Sequence, residues 1–119
     1  MTDPSSLEAE DRKLITLARA TRARIGAAEG AAVRDADGRT YAAATIDLES
    51  LRLSAVQAVV AMALASGSRT VEACVVLGEA GELTAPDAAV LAEIAGPAGV
   101  AVHLGDARGT VTSTETVTA

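Results

Sequence analysis

Apolar positions recur at helical spacing through Leu7, Leu14, Leu17, Ala18 and Ile25, and Ser5 followed three residues later by Glu8 has the form of a capping box. The pattern predicts a first helix over about 6–25. Residues 30–34 and 39–46 are small or β-branched and flank Asp35-Ala36-Asp37-Gly38, whose Asp-Gly step is a tight-turn signal, so they predict a β-hairpin. A polar connection, 47–52, leads into RLSAVQAVVAMALASG, where the only polar side chains between Leu53 and Ala65 are Ser54 and Gln57. A helix that is apolar nearly all round must be covered on several sides. Gly67 ends it as a residue able to take the left-handed conformation.

The β-branched run 70–77, bounded by Gly78, reads as a third, interior strand. Thr84 caps a third helix, with Pro86 in its first turn and Asp87 placed to complement the helix dipole, running to about Ala95. Residues 100–104 form a fourth strand, 105–109 a turn and 110–114 a fifth strand. The order is α-β-β-α-β-α-β-β. Its two strand-helix-strand units imply right-handed crossovers that place the second, third and fourth strands in one sheet, with helices against its faces. The expectation is one three-layer α/β domain over 1–119, with 1–5 and 115–119 flexible.

Composition changes this picture in one respect. Half of the 119 residues are hydrophobic, yet there is no Phe or Trp and only one Tyr, so the core must be built from Ala, Val, Leu and Ile. Small side chains bury little area each, at about 25 cal/mol per Å², and self-association would supply the missing burial. The net charge of −6 argues against general nucleic-acid binding. Five of the ten basic residues, Arg12, Lys13, Arg19, Arg22 and Arg24, fall on the first helix, where Glu8, Glu10 and Asp11 offer partners for a solvated face. The N-terminus is acidic and polar, unlike a signal peptide, and no segment reaches the roughly 20 apolar residues of a membrane span, so a cytoplasmic protein without membrane contact is expected. The single cysteine, Cys74, cannot form an internal disulfide.

Candidate chemistry is sparse. Cys74 and His103 fall on neighbouring parallel strands, but two soft ligands do not complete a zinc site, and core packing is the stronger reading. Ser54 lacks a base for a nucleophilic role and reads as a helix N-cap. Gly78-Glu79-Ala80-Gly81 lacks the lysine and spacing of a phosphate loop.

Taken together, Gly30-Ala31-Ala32-Val33, Asp37-Gly38-Arg39-Thr40-Tyr41, the Thr45-Ile46-Asp47 segment, the Ala-rich helix ending in Ser-Gly, the strand after it and the helix opened by Pro86 resemble the small homotetrameric cytidine deaminases over about 14–111. The resemblance implies the cytidine-deaminase-like fold, a mixed five-stranded sheet with helices on both faces. It also implies a zinc ion that activates water, held by thiolates at two helix N-termini, with a glutamate as proton shuttle. Here the family's Cys-Ala-Glu falls on Ser54-Ala55-Val56 and its Pro-Cys-x-x-Cys on the run from Pro86 to Val90, so the metal-ligand positions are Ser54, Asp87 and Val90 and the shuttle is Val56. The base-stacking phenylalanine corresponds to Ala27, and the ribose-binding Asn and Glu to Thr45 and Asp47. The loop before Ser54 is shorter than the family's.

The expectation is therefore a catalytically inactive, metal-free relative without a cofactor, forming a homodimer or homotetramer and acting as a structural or protein-interaction module, its protein partner unidentified. By the resemblance, the long apolar helix meets the sheet on one side and a neighbouring subunit on another, through Ala58, Ala61, Met62 and Ala65. An alternative is binding of a nucleoside-like molecule through Thr45 and Asp47. A further one is unrecognised hydrolase or deaminase chemistry using Asp47, Glu49 or Asp87.

Overall fold

The computed structural model of the chain describes residues 8–119. Helix α1 (Ala9–Ile25) starts after Glu8, which makes no side-chain cap bond; the Ser5 half of the anticipated capping box lies outside the described residues. Strands β1 (Glu29–Asp35) and β2 (Thr40–Ala44) form the expected hairpin, with Gly38 at φ 86° in its turn. The side chain of Asp35 is only 1% exposed and stabilises this turn, accepting from the backbone N–H groups of Asp37 (3.0 Å) and Arg39 (2.8 Å) and from Ser68 Oγ (2.6 Å).

The second strand was expected to run through Ile46, and the connection 47–52 to be irregular. Instead β2 stops at Ala44, although Thr45 N–H still donates in the same register to Glu29 O at 3.1 Å. The chain then makes a second, miniature hairpin from β3 (Ile46–Asp47) and β4 (Arg52–Leu53), closed by Leu48 N–H to Leu51 O at 2.9 Å.

Helix α2 (Ala55–Ala65) ends as its sequence dictates: Gly67 takes φ 100°, its N–H bonds Leu64 O, and Ser68 N–H bonds Ala63 O. These are the paired bonds of a Schellman motif. Strand β5 (Val71–Gly78), helix α3 (Ala85–Glu93), strand β6 (Val100–Gly105) and strand β7 (Val111–Val117) follow. The polar C-terminal stretch expected as a tail is strand as far as Val117, which pairs with Val100.

The main sheet has the order β2-β1-β5-β6-β7. Strands β5 and β6 are parallel, while β1 and β7 run antiparallel to their neighbours, so the sheet is mixed. The connection from β2 through α2 to β5 passes over β1, which fills the place between them. Central β5 is apolar on both faces, as a strand sandwiched between two layers must be. Ala73, Val75 and Leu77 face α1 with Leu14, Ala18, Ala32 and Val111; Cys74 and Val76 face α2 and α3 with Val56, Val59, Leu91 and Val102. The absence of large aromatics permits close approach of the layers. A Cβ at Gly30 would clash with the Ala18 carbonyl oxygen and lie 2.8 Å from Arg22 Cβ, so only glycine lets α1 lie this close to β1.

Candidate functional site

The N-termini of α2 and α3 meet over the end of the sheet. Ser54 caps α2: its Oγ accepts from Gln57 N–H at 3.0 Å, and Gln57 Oε1 accepts from Ser54 N–H at 2.9 Å, a complete capping box. Thr84 caps α3 by accepting from Asp87 N–H at 3.3 Å, with proline in the first turn. Asp87, 4% exposed, is turned toward the other helix, and the Ser54 hydroxyl donates to its Oδ1 at 2.7 Å. The Ser54 hydroxyl is thus used in both directions. The positive ends of two helices face one carboxylate.

That charge is felt by its neighbours. Burial, and then the Asp87 charge, raises the Glu29 carboxyl above its ordinary value. Burial, and secondarily Asp87, pushes the Cys74 thiol up to about 12. Cys74 is therefore an inert, protonated core thiol rather than a nucleophile or ligand. Val56 is fully buried in the core, and Val90 packs against that core half-buried.

The remaining candidates are dispersed. The Thr45 hydroxyl clasps Glu29, accepting from its N–H at 3.0 Å and donating to its carbonyl at 3.3 Å. Asp47 is exposed on the miniature hairpin, 3.5 Å from Arg52 Nε. Glu49 is exposed beside it. Ala27 is half-buried and borders an open hollow of about 530 Å³ with Arg22, Glu29 and Glu79. On α2, Ala61, Met62 and Ala65 are exposed, Met62 by 43%, with Leu64 beside them; Ala58 is buried within the chain.

Cys74 and His103 do not meet. The register pairs Cys74 with Val102 and Val75 with His103, which sets the two side chains on opposite faces of the sheet. His103 points toward α1, where Nε2 lies 2.8 Å from Asp11 Oδ2 and Nδ1 lies 2.9 Å from Thr114 Oγ1. Arg34 Nη1 donates to Asp11 Oδ1 at 2.8 Å, and Arg34 Nε donates to Glu72 at 2.7 Å. Burial pushes the Asp11 carboxyl up, but the bonds from Arg34 and His103 outweigh it and hold the carboxyl below its ordinary value. This network joins α1 to four strands, through residues that no local sequence pattern connects.

A three-layer α/β fold with two helix N-termini converging at one end of a mixed five-stranded sheet defines the class. The family model for cytidine deaminase-like proteins matches residues 7–109, and the chain belongs to that family. The fold is similar to the crystal structure of cytidine deaminase from Burkholderia pseudomallei, with a TM-score of 0.76 and 24% identity over 89% of this chain and 91% of that one. It is also similar to cytidine deaminase from Mycobacterium leprae, with a TM-score of 0.71 and 20% identity over 92% of this chain and 95% of that one. No curated protein sequence matches.

The residues at the two helix N-termini do not fit the zinc ion that the resemblance implies. The hydroxyl of Ser54 is committed to Gln57 and Asp87, Val56 and Val90 offer no donor, and Asp87 is left as a single ligand. Among the described residues no other group of three or more His, Cys, Asp or Glu side chains is placed to hold a metal ion, and no helix is long and apolar enough to cross a membrane.

Proposed function

We propose that this chain is a member of the cytidine deaminase-like family that carries out no zinc-dependent deamination and acts in the cytoplasm as a homo-oligomeric structural or protein-interaction module. One observation carries the reading. Ser54 and Asp87, assigned by the resemblance to metal-ligand positions, are hydrogen-bonded to each other at 2.7 Å, while Val56 and Val90 provide neither a proton carrier nor a ligand. A hydroxyl donating to a carboxylate across two helix N-termini holds them together as a charge-assisted bond of about 1.5–3 kcal/mol. Incubation of the purified protein with cytidine and added zinc is expected to yield no uridine. Uridine formation that a chelator abolishes would overturn the proposal.

The exposed apolar face of α2 supports the oligomeric part. Ala61, Met62, Leu64 and Ala65 leave α2 without a wet side, in a chain whose core is otherwise made of small residues. Ala61→Glu places a charge on that face and is expected to reduce the mass measured by light scattering to that of one 11.9 kDa chain. A mass unchanged from the parent protein would remove Ala61 from the interface.

A further inference from the structure

The two edges of the main sheet are not alike. Strand β7 is blunted: its pairing with β6 shifts register beside Gly105, and Glu115 stands within its exposed run. Strand β2, Thr40-Tyr41-Ala42-Ala43-Ala44, has no charge, no proline and no shift in its register with β1. The hairpin fixes which of its backbone groups are free. Asp35 N–H donates to Arg39 O and Thr45 N–H to Glu29 O, so by the same alternation Tyr41 and Ala43 bond β1, and Thr40, Ala42 and Ala44 turn N–H and C=O outward. Among the described residues no other segment takes these groups.

Apolar surface continues from this edge onto both flanking layers. On α2, Val56 and Val60 are buried in the cluster that includes Leu91 of α3, which leaves Ala61, Met62 and Ala65 exposed on the opposite flank, over β2. On α1, Leu17 is 37% exposed and shares with Thr40 an apolar recess of about 480 Å³. Glu10, Leu17 and Arg24 recur at intervals of about two helical turns and so lie along one line of α1, and Glu10 also borders Thr40. Among the described residues no ion pair uses Glu10 or Arg24.

We infer that β2 pairs antiparallel with β2 of a second copy of this chain, joining two five-stranded sheets into one across a twofold axis at Ala42. The inference rests on the reading of the chain as a homo-oligomer and names its seam. In this register Ala42 exchanges both backbone bonds with its counterpart and Thr40 does so with Ala44, while Tyr41 lies opposite Ala43 and no like charges meet. Helix α2 packs over β1 and β2, so its axis stands about 5 Å from the seam and the twofold brings it to about 10 Å from its copy, the packing distance of two helices. The flanks bearing Met62 and Ala65 then cover each other. On the opposite face the two α1 helices run antiparallel, with Leu17 toward Leu17 and Glu10 of each toward Arg24 of the other. An extended peptide of another protein would satisfy the strand but leave Leu17, Met62 and Ala65 uncovered. A second copy covers all of them and supplies the complementary charges.

The test is amide hydrogen exchange of the full chain by NMR, with its mass from light scattering, across a dilution series. The amides of Ala42 and Ala44, which have no acceptor among the described residues, are expected to be protected while the chain is oligomeric and to lose protection as it dissociates. Ala42→Pro removes a donor at the seam without touching a bond to β1, and is expected to halve the mass. Arg24→Glu is expected to weaken association about threefold, and Glu10→Arg added to it to restore the parent's strength. Free exchange at Ala42 and Ala44 in a chain that is still oligomeric would overturn the seam and leave the oligomeric reading standing. A chain that is monomeric throughout would overturn both. A folded Ala42→Pro variant of parent mass, or a double charge reversal as weak as the single one, would also overturn the seam. Should Ala42→Pro fail to fold, the exchange of the parent chain decides alone.

Discussion

Replacement of Asp35 by alanine is expected to destabilise the fold by about 2–4 kcal/mol, the range for orphaning several donors to one shielded charge. Asp35 Oδ1 accepts two backbone N–H groups of its own turn, and Oδ2 accepts Ser68 Oγ from beyond the end of α2, so one carboxylate joins the first hairpin to the segment leading into β5. The bonds give a pH signature. Burial pushes the Asp35 carboxyl up, but the bonds from Ser68, Arg39 and Asp37 and the charge of Arg39 outweigh it and hold it below its ordinary value of 3.8. A carboxyl with a depressed folded-state value contributes stability that is present above its unfolded value and lost as pH falls through the folded one. Urea melts should therefore show the parent losing stability as pH falls below about 4, and Asp35→Ala losing less of it over the same interval. Asp11, also held low, adds to the loss in both proteins. An alanine variant as stable as the parent at neutral pH would show that the turn does not depend on this carboxylate.

The second large effect concerns the helix N-termini. A protein carrying Ser54→Cys, Asp87→Cys and Val90→Cys together is expected to be purified with about one zinc per chain and an apparent binding free energy of order 10 kcal/mol at neutral pH. The geometry favours it: the Ser54 and Asp87 side chains already touch, and Val90 stands one helical turn beyond Asp87 on the same helix. Two helix dipoles would help keep the thiolates ionised. Metal content measured on the dialysed protein, with a chelator-sensitive rise in melting temperature, checks the expectation. A zinc content no higher than that of the parent would mean that the two helix ends do not meet in a metal-binding geometry.

Much of the architecture could be read from local signals, because those signals are made by neighbours in sequence. Thr84 and Pro86 mark the start of α3, Gly67 the end of α2 and Asp-Gly the first hairpin, each through backbone bonds spanning a few residues. What escaped was set by register and by distant partners. The miniature hairpin at 46–53 has too few residues to show an alternating pattern, and the Thr-rich end of β7 is strand because it pairs with β6. Ser54 was legible as a cap, yet its bond to Asp87 spans 33 residues. His103 was read as core, but the Asp11 that satisfies it is 92 residues away. A helical or strand period assigns a side chain to a face; it does not say which polar group waits opposite.

The contact between Asp11 and His103 also orders events in time. Helix α1 precedes in sequence the strands it covers, which include β5 and the start of β7, and its polar end is held from β6. It can meet β1 and β2 once they follow it, but its docking is complete only when β5, β6 and β7 exist, since these non-local contacts cannot form before their partners do. Until then its apolar stripe of Leu14, Ile15 and Ala18 is covered only in part. Complete burial of α1 is therefore a late event that waits for β6 and β7.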